Sequence, residues 1–284
     1  MSYPLIITKN NLVPGSSNTY KYDFNSNVDM SNIDIGVGSA SLWFSWRNIT
    51  TLKNNNKFTI NHPINGAFNQ TLNITIPDGG YDIDDINNYL RFYLISNGYF
   101  IQNNTTNEQI VYCKFQVNPT IYVVEFIEYP IPTSLPAGFT AGSAFSSGFP
   151  TTTRAPQLNI NQVGFSNVIG FSLGIQPPTQ ATTLTTIISS KTPVVSDVQN
   201  IIITLDSAMN PYSQNARVIH SISPAGYKYS SLIKNEPSEV SYVPQQMGGR
   251  QSITLQITNQ DLVPLELVDT DIVIKLLLRI RDRK

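Results

Sequence analysis

From Gln251 to the end, the chain alternates apolar and polar side chains in two runs. In the first, Ile253, Leu255 and Ile257 alternate with Ser252, Thr254, Gln256 and Thr258. A period of two puts one set on a core and the other near water, so this run predicts a half-buried strand. In the second, Ile272, Ile274, Leu276, Leu278 and Ile280 share one face, and Asp271, Val273, Lys275, Leu277, Arg279 and Arg281 share the other. The apolar residues on that second face predict a central strand partly covered on both sides. The chain stops soon after it, so the core is completed only when the whole chain is present.

Upstream, the same signal recurs in short pieces. Tyr20 to Phe24 alternates, and Ile35 to Trp46 does so for longer, with Ala40, Leu42, Phe44 and Trp46 on one face and Ser39, Ser41, Trp43 and Ser45 on the other. Lys57 to Ile60 and Leu72 to Ile76 read as strands around the turn His-Pro-Ile-Asn-Gly, which puts His62 in a turn. Ile110 to Val117 and Ile121 to Ile127 read as a hairpin around Asn118-Pro119, and Asn200 to Leu205 and Arg217 to Ser221 as two more strands. One segment has helical spacing instead: Ile83, Ile86, Leu90, Tyr93 and Leu94, with Asp82 as N-cap, Asp84 and Asp85 in the first turn and Asn97-Gly98 as the stop. Capping accounts for all three aspartates, and no calcium-loop spacing follows them. Val163 to Leu173 is compact and apolar. The segments 130–156 and 176–193 are rich in Pro and Thr and read as long loops, the first carrying Phe139, Phe145 and Phe149. Met1 to Asn18 shows no period and reads as an extended arm, with residues 19–284 as a single domain. The expected fold class is all-β, an antiparallel sandwich or jelly roll with one short helix and long loops.

Composition changes this picture in one respect. Only 13% of the 284 residues are charged and the net charge is −1, so neutral Asn, Gln, Ser and Thr must cover the surface. Weak self-repulsion suits a protein that packs against copies of itself. The balance argues against nucleic-acid binding, and the basic end (Arg279, Arg281, Arg283, Lys284) reads as solvated. No apolar run reaches membrane-spanning length, and no signal peptide opens the chain, which predicts a soluble intracellular product. The single cysteine, Cys113, lies in an apolar run and reads as a buried thiol.

Candidate chemistry is sparse. His220 reads as a satisfied core residue, and no nucleophile elbow, zinc pair or phosphate loop occurs. Asp206, Glu125, Glu128 and Glu266 are the acids from which a glycosidase pair would have to come. No catalytic residue, metal ligand or cofactor site is assigned. The one candidate site residue is Trp43, an aromatic on a serine face. Either a loop of its own chain covers it, the 130–156 loop being the candidate, or it is a subunit contact.

Several blocks together resemble the penton proteins of virophages and the related Maverick/Polinton elements. These are IPDGGYDIDDINNYL, VGFSNVIGFSL, NIIITLDSA, RVIHSISPAG and the final pair ITLQITNQDLVPLELVDTDIVIKLLLRIR, in the family's order over roughly residues 70 to 284. Where relatives often carry a fuller glycine-rich turn before the last strand, this chain has LVPLELVDTD. The resemblance implies a single jelly roll and a structural, non-enzymatic vertex protein. It would be made in the host cytoplasm and carried in the virion, with itself as a homopentamer and the surrounding major capsid protein as partners. The rival reading is a carbohydrate-binding or glycan-cleaving jelly roll.

Overall fold

The structure, a computed structural model, describes residues 2–281. The described residues are all-β apart from two α-helices and two short 3-10 turns, and every pair of strands within their sheets is antiparallel. It divides into two units, Met1–Arg47 with Val198–Lys284, and Asn48–Asp197.

The first unit has eight principal strands. In chain order they are β1 (Ser2–Thr8), β2 (Thr19–Asp29), β3 (Ile33–Trp43), β4 (Ile201–Leu205), β5 (Val218–Ile222), β6 (Leu232–Asn235), β7 (Gly249–Asn259) and β8 (Ile272–Ile280). One sheet has the order β1-β8-β3-β6 and the other β5-β4-β7-β2. First pairs with last, second with seventh, third with sixth and fourth with fifth. A single long antiparallel hairpin wound around a sandwich produces this nesting, and it defines the jelly roll. The predicted alternation holds: Ile253, Leu255 and Ile257 of β7 are wholly buried, as are Ile272, Ile274 and Leu276 of β8. They meet Leu42, Val37, Ile203 and Leu205 in one core. Tyr20 of β2 is buried there too, its hydroxyl donating to the Thr270 carbonyl at 3.0 Å.

Two expectations about domains need correction. The N-terminal segment is not a free arm. β1 pairs with β8 along seven registered residues and buries Leu5 and Ile7 in the core. Pro4 and the absence of a clear period hid it, since β1 is an edge strand, where proline is tolerated. Nor is 19–284 one domain. Residues 48–197 are spliced between β3 and β4 and build their own core.

In this second unit, the hairpin Lys57–Pro63 with Asn69–Thr75 extends through Gln157–Ile160 to Gly174–Gln176. A three-stranded sheet joins Thr185–Ile188, Val123–Glu128 and Cys113–Asn118. Helix α1 (Ile83–Ser96) lies on that sheet and buries Ile83, Ile86, Leu90 and Leu94, as its spacing predicts. The run Val163–Ile169 is a second helix, α2, ending at Gly170. Gly170 has φ 77°, and a side chain there would collide with the Lys191 carbonyl. The ends of the insert are pinned together: the Asn48 side chain donates to the Tyr81 and Val195 carbonyls at 2.7 and 2.6 Å.

The Asp82 cap is formed. Its carboxylate accepts from the Asp85 amide at 2.8 Å, and Asp85 reciprocates to the Asp82 amide at 3.1 Å. Asp82→Ala should therefore cost about 0.5–2 kcal/mol, read as a lowered thermal midpoint. An unchanged midpoint would show that the box contributes nothing.

Candidate assembly surface

The outer face of the β1-β8-β3-β6 sheet carries Trp43. Strand register arranges this face in rows. Thr8, Val273, Ser41 and Lys234 lie side by side, then Ile6, Lys275 and Ser39, then Pro4, Leu277 and Gly36. Trp43 lies beside Leu232 at the next step, both half-buried. Ile6 and Val273 are each about half exposed, at 53% and 50%. As the sequence implied, β8 is a central strand whose second face is partly covered: it is open at Val273 and half-buried at Leu277.

That cover has two sources. A strap from the β6–β7 connection crosses the Gly36 end, where Val243 bridges to Ile35 and where Val240 and the Ser241 carbonyl fill the space a Gly36 side chain would need. The Arg279 guanidinium lies 4.0 Å over the Tyr242 ring. Arg279 and Arg281 both pair with the buried carboxylate of Asp34, at 3.1 and 3.0 Å. The basic end is thus only partly solvated: two of its arginines hold a buried acid, and Arg283 and Lys284 lie outside the described residues. Away from the strap the face stays open, with small serines as its floor and Ile6, Val273, Trp43 and Leu232 as its apolar members.

The 130–156 loop keeps its aromatics within the second unit. Phe145 is buried, stacks on Phe149 at 4.7 Å and packs with Ile101, Tyr112 and Ile131.

The candidate acids fall two in each unit. Asp206 and Glu266 belong to the first unit, Glu125 and Glu128 to the second. Glu125 and Glu128 point to opposite faces of their strand. Asp206 accepts from the Thr254 amide at 2.9 Å and meets Arg250 at 3.4 Å. It borders a cleft of about 190 Å³ on the outer face of the other sheet, with Thr19, Thr204, Arg217, Thr254 and Gln256 among its lining. No aromatic side chain lines it, and the Thr204 and Thr258 hydroxyls bond carbonyls of the sheet itself. Among the described residues no cluster of three metal-ligating side chains occurs.

No protein-family model matches the chain, and no curated protein matches it. Among the solved structures that match, two are similar along its whole length. The selenomethionine-labelled mavirus penton protein aligns at 11% identity and TM-score 0.42, covering 99% of both chains. A chain of the Sputnik virophage structure from cryo-EM aligns at 10% identity and TM-score 0.41, covering 99% of this chain and 98% of that one. The jelly-roll assignment stands on the strand pairing described above, independent of either.

Sequence missed two buried ionisable groups of the second unit, His62 and Glu128. His62 is not in a turn: it lies on the strand Lys57–Pro63 and is wholly buried. Glu128 is equally buried, and neither carboxylate oxygen has a partner. Burial pushes its pKa up to about 8. Cys113 lies directly across from it, its thiol pushed up by burial and then by the Glu128 charge, so the expected inert buried thiol is what the structure shows. His220 is half-buried and bonds Asn235 at 2.7 Å. The signal for Glu128 was present: Val124, Phe126 and Glu128 share the buried parity of one strand.

Proposed function

We propose that the chain is a structural capsid protein: a penton that associates as a homopentamer, closes the fivefold vertices of an icosahedral shell and meets the major capsid protein around it. The observation that carries this reading is the open outer face of the jelly roll, with Trp43 on a serine floor. Support also comes from the blocks that resemble virophage pentons. They coincide with α1 and its cap, with α2, and with strands β4, β5, β7 and β8. A ring of identical subunits needs a heterologous contact whose rotation closes, and a surface of low charge does not oppose it. Trp43 is proposed as a member of that contact, because aromatic side chains are enriched at interface centres.

Sedimentation of the purified chain, alone and with major capsid protein, tests the reading, alongside fivefold-averaged imaging of virions. A pentamer, or a monomer that joins only with capsid protein, is expected. A monomer that ignores capsid protein and binds a glycan array would overturn it. Trp43→Ala should lower monomer stability by no more than about 1 kcal/mol, the scale of a cross-strand pair, and reduce the assembled fraction several-fold. A large loss of stability with normal assembly would assign Trp43 to its own subunit.

A further inference from the structure

We propose that His62 is an acid-sensitive latch that holds the aromatic loop of residues 130–156 closed on the core of the second unit. His62 Nδ1 lies 3.0 Å from the Pro63 carbonyl, an acceptor, so Nδ1 carries the proton. Its Nε2 is buried and has no partner. The ring meets Tyr99 edge-on, with centroids 4.8 Å apart, and lies 5.9 Å from Phe145. Phe145 in turn stacks on Phe149 and meets Tyr112 at 6.3 Å. The loop therefore rests on the histidine through Phe145.

The loop is tied down on either side of that contact by hydrogen bonds. Gly142 donates to the Phe100 carbonyl at 2.9 Å, and Thr151 donates to the Gly66 carbonyl at 3.0 Å. Arg154 donates to the carbonyls of Gly66, Ala67 and Phe68 at 3.0, 3.0 and 3.3 Å, clasping the hairpin turn that follows His62. The groups around the ring are few. Its cross-strand partner is Gln70, the Tyr99 phenol comes from the segment after α1, and the loop offers Phe145. The Tyr112 phenol lies beyond Phe145, and the Arg154 charge sits at the turn. No charged side chain contributes to the ring's titration.

A proton on Nε2 would thus create a buried cation with no acceptor. The neighbouring rings attract it and offset part of the cost, and hydration of the cation requires the ring to part from its contacts with Phe145 and Tyr99. Burial lowers the His62 pKa to about 4 from the ordinary 6.5. The sign follows: the closed state binds fewer protons than the open one, so closure weakens as pH falls from 6.5 toward 4. Between pH 7 and pH 5 the open-to-closed ratio should rise about 20-fold.

The test is hydrogen exchange of loop peptides at both pH values, with intrinsic rates corrected. The chain's two tryptophans, Trp43 and Trp46, both lie in the first unit, so their fluorescence checks that the jelly roll stays folded. Protection over residues 139–151 should fall at least tenfold in the native chain at pH 5 with tryptophan emission unchanged. It should stay flat in His62→Leu and His62→Gln. Loop protection that is equal at both pH values, or acid sensitivity retained by the variants, would overturn the latch. Should neither variant fold, NMR of the two histidine rings in the native chain decides. His62 titrating near 6.5 without loop opening rejects the proposal, and titration coupled to loss of loop protection supports it.

Discussion

Deleting residues 2–8 is expected to unfold the jelly-roll unit. β1 supplies Leu5 and Ile7 to the core and a full ladder to β8. Without it β8, one of the most apolar strands, becomes a bare sheet edge beside an opened core. Truncating a buried Leu or Ile to Ala typically costs about 2–5 kcal/mol, and a whole domain is stable by only about 5–15 kcal/mol. Leu5→Ala with Ile7→Ala, which keeps the backbone ladder, should therefore remove about 4–10 kcal/mol. Trp43 and Trp46 belong to the same unit, so tryptophan fluorescence during chemical denaturation reads the loss directly. A native transition in the deletion variant would restore the reading of this segment as a dispensable arm.

The second large effect is on pH dependence. Glu128 is buried among Cys113, Phe126 and Val124 without a partner for either oxygen. Its folded pKa of about 8 exceeds the ordinary 4.5. The folded state therefore holds a proton that the unfolded chain releases, and stability falls as pH rises from 4.5 through 8. His62 acts with the opposite sign, adding stability as pH rises from 4 to 6.5. Between pH 6.5 and 8 Glu128 is the group that dominates, since the buried Cys113 thiol and the buried tyrosines act only at higher pH. Glu128→Met, of similar length and apolar, should stabilise the second unit at pH 8 by about 2–4 kcal/mol. It should also turn the decline between pH 6.5 and 8 into a plateau. The measurement is urea denaturation across that range, followed by tyrosine signals of the second unit. A native-like decline in the variant would show that Glu128 finds water or a partner when ionised.

The elements that were legible have one property in common: a local pattern and one wet face. β7 and β8 alternate because the sandwich buries one side of each, and α1 announces itself by its cap and its 3.6-residue spacing. α2 was harder, since seven residues that bury Phe165, Val168 and Ile169 around Gly164 give an apolar run with no visible period. His62 was misread because Pro63 and Gly66 dominate its neighbourhood. The strand runs on through Pro63, held by Arg154 from far along the chain.

Alternation in the sequence thus determined the all-β class, the core faces of β3, β7 and β8, the buried side of α1 and the neutral surface. The tertiary structure alone decided which strand covers which. β1 becomes a core strand only because β8, some 270 residues later, offers it an edge. The two units carry the same kind of alternation on either side of Arg47 and Asp197, so no shift in composition marks their boundary. A local pattern reports that a face is apolar. It carries no record of the distant strand that will bury it, and that partner settles both the domain boundary and which polar groups, such as Glu128 and His62, are sealed from water.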